Sequence, residues 1–361
     1  MKQNAMQYFL GCTAENGFFS LFDRAVSPQS GLYPYFIKAG PGCGKSGLLR
    51  RLAARLQKEG HSCELIRCGS DPASLDGVLC PELGFCVLDA TAPHSLEPSL
   101  PAACGQVVSL YDCLDEARLR PHADALLSLQ REHTACMKRV RRLMGAAAQL
   151  YDEACRTAGA LLQREKLARY LQGLCSRELP RTGKKGSEQQ RFCTNFTPDG
   201  FLDLRQQNFA HARRILFCDR WGAMSAAALA FLREHALAAG YDIVCCPDPL
   251  APETRLCALW LPQLQLCFMA DGAFGNAPRE GAKLIHAARF YQTQALKTLR
   301  GRLNFALRAC TALTAEACSL MNEARQLHGQ TERYYTAAMD FAQLEKREQA
   351  LFARLLGESG R

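Results

Sequence analysis

Ala39-Gly40-Pro41-Gly42-Cys43-Gly44-Lys45-Ser46-Gly47 is the stretch that decides how this chain is read. The apolar run Tyr35-Phe36-Ile37 before it has the character of a strand. Leu48-Leu49-Arg50-Arg51-Leu52-Ala53-Ala54-Arg55-Leu56 behind it has helical spacing. Strand, glycine loop and helix in that order let main-chain N–H groups turn inward on phosphate oxygens, with the positive end of the helix behind them. On this reading Gly40, Pro41, Gly42, Cys43, Gly44, Lys45, Ser46 and Gly47 hold the phosphates. Lys45 reaches the outer phosphates as the catalytic cation, and the Ser46 hydroxyl ligates Mg2+. The strict pattern starts with Gly, and Ala39 stands there as an accepted variant.

Further chemistry-bearing residues follow. Phe85-Cys86-Val87-Leu88-Asp89 is a four-residue apolar run ending in an acid. At the carboxyl end of a strand, Asp89 would hold Mg2+ directly or through water. Beyond it, Thr91 and His94 could position water or sense the outer phosphate, although a loop histidine more often only hydrogen-bonds locally. Asp71, in Cys68-Gly69-Ser70-Asp71-Pro72, follows another apolar run. It reads equally as a functional residue, either a base toward an acceptor hydroxyl or a second Mg2+ ligand, and as a turn residue.

The chain also repeats itself. Phe36 to Gly60 aligns with Leu216 to Gly240 without a gap at an offset of 180, pairing Gly42 with Gly222, Leu49 with Leu229, Leu52 with Leu232 and Gly60 with Gly240. Phe85–Leu88 matches Leu266–Met269 in character, and Gly17-Phe18-Phe19 resembles Gly200-Phe201-Leu202. In the second copy Gly40 becomes Arg220, Pro41 becomes Trp221 and Gly44-Lys45-Ser46 becomes Met224-Ser225-Ala226, while Ala270 falls at the place of Asp89. The second loop has lost its lysine, and a helix N-terminus is the one anion-attracting feature left there.

Apolar runs alternating with amphipathic helices predict an α/β fold: two tandem P-loop NTPase-like cores with parallel sheets, each followed by a helical segment. The predicted boundaries are 1–122 for the core with the intact loop, 123–178 for its helices and 179–192 for a linker. The degenerate core then takes 193–286 and the C-terminal helices 287–361. The two helical stretches could close on their own cores or pack on each other.

Composition narrows the class. The 361 residues are 48% hydrophobic, enough for two cored domains. No run approaches 18 uninterrupted apolar residues and no secretory leader is legible, so the expectation is a cytoplasmic protein without a membrane segment. The 19 cysteines are odd in number and lack C-x-x-C spacing, which suits small core hydrophobes better than zinc or disulfides. The net charge of +9 gathers partly in Lys138–Arg142 and Arg177–Lys185, without the interleaved aromatics of a nucleic-acid module.

At Thr13-Ala14-Glu15-Asn16-Gly17-Phe18, Gly40–Ser46, Ser70–Gly77 and Asp89–His94 followed by Glu97-Pro98, nearly the whole chain resembles a bacterial family of uncharacterised tandem P-loop ATPase-like proteins. The resemblance implies nucleotide binding at Gly40, Gly42, Gly44, Lys45 and Ser46, and it implies no substrate. The eroded second loop departs from it. Together these readings lead to Mg2+-dependent ATP binding and hydrolysis at one site, used to move one copy against the other or against a protein partner. A small-molecule kinase with Asp71 as base and a non-catalytic nucleotide-binding scaffold are the alternatives.

Overall fold

The computed structural model describes residues 5–15, 17–27, 30–92, 95–274 and 277–357. The first repeat runs β1 (Met6–Tyr8), a hairpin of β2 (Gly11–Ala14) and β3 (Gly17–Ser20), and α1 (Phe22–Ala25). It continues through β4 (Tyr33–Lys38), α2 (Lys45–Glu59), β5 (Glu64–Arg67), β6 (Leu75–Cys80), β7 (Phe85–Asp89) and β8 (Gln106–Ser109). Helices α3 (Glu116–Leu119), α4 (Ala123–Gly159) and α5 (Arg164–Glu178) close it. The second repeat runs β9 (Glu188–Gln190), β10 (Thr194–Thr197), β11 (Gly200–Asp203), α6 (Arg205–Asn208), β12 (Arg213–Cys218) and α7 (Ala223–Ala239). It ends with β13 (Ile243–Pro247), β14 (Leu256–Leu261), β15 (Leu266–Ala270), β16 (Lys283–His286), α8 (Thr293–Ala337) and α9 (Phe341–Gly357).

The two six-stranded sheets are the same strand for strand: β1-β5-β6-β7-β4-β8 and β9-β13-β14-β15-β12-β16. In the first, β4 lies parallel to β7 and β8, and β1 parallel to β5. Strand β6 is antiparallel to both its neighbours, as is β14 in the second sheet. The sheets are therefore mixed, where the sequence predicts parallel ones. The cause is connection length. Only Pro81–Gly84 joins β6 to β7 and only Pro262–Gln265 joins β14 to β15, whereas a parallel crossover needs roughly a dozen residues or more. Gly84 and Gln265 take the left-handed backbone that lets each chain double back.

The chain forms two compact units, residues 1–11, 20–139 and 319–361 in one and 12–19 and 140–318 in the other. The segments do not follow the repeat. The end of α8 and all of α9 belong with the first sheet, and the end of α4 with α5 belongs with the second. In the first unit, Leu48, Leu49, Leu52 and Leu56 of α2 share a core with Tyr35, Ile37 and Val87 of the sheet. Leu344, Leu351, Phe352 and Leu355 of α9 complete that core. The leucines at i, i+1, i+4 and i+8 put one apolar face of α2 inward, and Gly60, with φ +93°, ends the helix. Bidentate ion pairing of Arg51 with Glu348, at 2.6 Å for each contact, ties α2 to α9.

The second unit packs its own sheet on α7, with Ala228, Leu229, Leu232 and Ala236 buried. Here the fully buried Arg205 pairs with Asp203 at 2.6 Å and donates to the Ala270 carbonyl at 2.5 Å, holding the end of β15. All nineteen cysteines are free thiols, most of them buried. Burial pushes several thiols up, Cys63 and Cys155 to about 11, as suits core hydrophobes rather than nucleophiles. No helix among the described residues is long and apolar enough to cross a membrane.

Candidate functional site: two glycine loops

Strand β4 delivers the first loop. It leaves the sheet at Lys38, and α2 begins at Lys45, with Gly42 (φ +67°) and Gly44 (φ +81°) in the left-handed region that glycine tolerates. Lys45 folds back over the loop. Its ammonium donates to the Gly40 carbonyl at 2.8 Å and lies 3.6 Å from Asp89 Oδ2. The register Ile37 to Asp89 between β4 and β7 brings that carboxylate to the loop. Thr91 fixes its other oxygen, donating to Asp89 Oδ1 from both its amide and its hydroxyl. The lysine and the aspartate thus meet with one carboxylate oxygen held and the other turned to the ammonium.

The Ser46 hydroxyl accepts the Leu75 amide at 3.0 Å, which leaves it a second lone pair. Arg50 donates to the Ala73 carbonyl at 2.6 Å, so the turn preceding β6 lies along the first turns of α2. Asp71 sits in that turn. Its carboxylate accepts the Ser74 hydroxyl at 2.6 Å, and its carbonyl accepts the Ser74 amide at 2.8 Å. This is the bonding of a turn aspartate. His94 lies outside the described residues, as does Asn16.

The loop's amides are its most telling feature. Among the described residues, the N–H groups of Gly42, Cys43, Gly44, Lys45 and Ser46 meet no protein acceptor. They sit at the start of a helix, where the macrodipole adds positive potential. The loop's other side is covered. A Cβ on Gly40 would stand 2.6 Å from the Tyr335 ring, one on Gly42 2.7 Å from the Glu332 carbonyl oxygen, and one on Gly44 2.8 Å from Leu344. Thr336 donates its hydroxyl to the Gly42 carbonyl at 3.1 Å. Sequence reading missed these four residues of α8 and α9 because nothing local in them signals a partner so distant along the chain.

The second loop has the same frame with different contents. Strand β12 ends at Cys218 and α7 begins at Ala223, so the loop is two residues shorter and the helix starts two residues earlier at the repeat offset. As a result Gly222 (φ +79°) does the capping work of Gly44, although the alignment pairs it with Gly42. Asp219, at the repeat position of Ala39, turns its buried carboxylate into the loop. It accepts the Ser225 amide at 2.9 Å, the Trp221 amide at 3.3 Å and the Tyr291 hydroxyl at 3.1 Å. Tyr291 in turn accepts the Met224 amide at 3.1 Å. Burial raises the Asp219 carboxyl above its ordinary value, and the Ser225 amide and Tyr291 hydroxyl hold it back.

The helix N-terminus of the second copy is thus filled by an internal carboxylate. Ala270 stands opposite Phe217 where Asp89 stands opposite Ile37, and Asp271 next to it is paired with Arg279. The signal was present in the sequence: an acid at the strand exit where the intact copy has alanine. Comparison with family models, with curated proteins and with solved structures finds no match for the chain.

Proposed function

We propose that the first core binds a nucleoside triphosphate, ATP in the first instance, with Mg2+, and hydrolyses it, while the second core is a replica that has lost that capacity. The observation that carries the reading is the run of unfilled amides from Gly42 to Ser46 beside Lys45 and Asp89. In the second loop Asp219 satisfies the Trp221 and Ser225 amides and Tyr291 satisfies the Met224 amide. The first loop offers its amides no protein carboxylate, and the second supplies Asp219 to its own. The resemblance to tandem P-loop ATPase-like proteins points the same way.

The residues fit the group. Five amides and one ammonium offer donors to phosphate oxygens, and Lys45 would exchange its bond to the Gly40 carbonyl for a phosphate. Ser46, with a lone pair to spare, and Asp89, with Thr91 fixing its orientation, would hold the metal. Mg2+ when bound would draw charge from the outer phosphate. The chain's own contribution is positioning and charge neutralisation. Asp71, engaged by Ser74, gives the kinase alternative no added support.

A thermal-shift panel of nucleotides with and without Mg2+, followed by a phosphate-release assay, tests the proposal. Stabilisation that requires Mg2+, together with release, is expected. Stabilisation with zero release would make the protein a nucleotide-stabilised scaffold, and neither effect would end the reading.

A further inference from the structure

We propose that the second core binds a small phosphate-bearing molecule in a groove beside its filled loop, through the guanidinium groups of Arg220, Arg279 and Arg308. The groove is open to solvent and offers about 640 Å³, within the ordinary range for ligand sites of roughly 300–1,000 Å³. It opens at Cys218, the last residue of β12, and at Asp271 and Gly272, which follow β15. These are adjacent parallel strands, and ligands of open α/β sheets gather at such carboxyl ends. In the first core the same two strand ends carry the glycine loop and Asp89. The second core keeps the location and changes the means of recognition from main-chain amides to side chains.

The charges favour a dianion. The lining carries three guanidinium groups and one carboxylate. Asp271 engages Arg279 and orients it. Arg220, which replaces Gly40 at the repeat offset, stacks its guanidinium 5.3 Å from the centre of the Trp221 ring. Neither Arg220 nor Arg308 has a carboxylate partner among the described residues. Two exposed and uncompensated guanidinium groups suit a phosphate monoester, which carries close to two negative charges at neutral pH and matches the planar fork of arginine. Leu307, Thr311, Ala312 and Ala315 of α8 also line the groove, mostly small and apolar, and a carbon skeleton can lie against them.

This site does not depend on the first loop, and its test keeps the two apart. The full-length chain carrying Lys45→Ala is titrated calorimetrically with inorganic phosphate, pyrophosphate and, as a carboxylate control, citrate. The titration is repeated with Arg220→Ala and Arg308→Ala added; both residues are exposed, so the fold should persist. Saturable phosphate or pyrophosphate binding that survives Lys45→Ala and weakens at least tenfold without the two arginines is the expected result. Absence of saturable binding at millimolar phosphate and pyrophosphate, binding equal in both variants, or a preference for citrate would overturn the proposal. If Lys45→Ala does not fold, the arginine pair is removed from the otherwise unaltered chain. That chain must then lose a phosphate-binding isotherm that the parent shows.

Discussion

The Thr336 hydroxyl donates to the carbonyl of Gly42 at 3.1 Å, tying the bend of the first glycine loop to a helix 294 residues further along the chain. The contact allows no side chain at position 42. A β-carbon there would meet the Glu332 carbonyl oxygen at 2.7 Å, and the φ of +67° disfavours any L side chain. Gly42→Ala should therefore cost about 2–4 kcal/mol, combining left-handed strain with a backbone clash. Gly60→Ala, with φ +93° but open space around it, should cost about 1–2 kcal/mol. Urea unfolding of both variants provides the comparison, and equal losses would mean that α8 does not press on the loop.

Asp219 should leave a signature in the pH dependence of stability. Its folded-state pKa is raised by burial, so the folded chain holds this proton more tightly than the unfolded chain does. The stabilisation associated with it is complete below the unfolded value, about 4, and is lost as pH rises through the folded value. The difference in unfolding free energy between the parent chain and Asp219→Asn should grow as pH falls toward 4. A difference that is flat, or that grows with pH, would show that the carboxylate is not desolvated in the loop.

Arg205 is a buried cation with a buried task. It neutralises Asp203 and supports the Ala270 carbonyl from the core of the second unit. Arg205→Met removes one partner and strands the other, so a loss of about 3–5 kcal/mol is expected. The double variant Arg205→Met with Asp203→Leu should recover part of it, because no unpaired charge remains. Thermal or urea unfolding of the two chains decides the matter; a single variant within about 0.5 kcal/mol of the parent would contradict the pairing.

Much of this was legible before any coordinates. Repeated glycines at 60 and 240 end equivalent helices, and leucines such as Leu49 and Leu52 recur at Leu229 and Leu232 because each copy buries the same helix face. The strand ending in Asp89 and the loss of its acid at Ala270 were visible in a single alignment. The direction of β6 was not, since Leu75–Cys80 reads as apolar either way and only the brevity of Pro81–Gly84 turns it around. The packing of α9 on α2 was hidden for a different reason: apolar periodicity reports that Leu344, Leu351 and Leu355 need a partner, not which one. Asp219 was overlooked because a carboxylate that accepts loop amides leaves no motif, only an acid where the first loop has Ala39.

The proposed triphosphate cradle consists of the amides from Gly42 to Ser46 together with Lys45. Calorimetric titration of the parent chain and of Lys45→Ala with ATP in the presence of Mg2+ tests it most directly. Saturable binding by the parent is expected, with a loss of at least tenfold, about 1.4 kcal/mol or more, when the ammonium is removed. A parent chain that binds no nucleoside triphosphate at millimolar concentration with Mg2+, or a Lys45→Ala chain that binds as well as the parent, would contradict it.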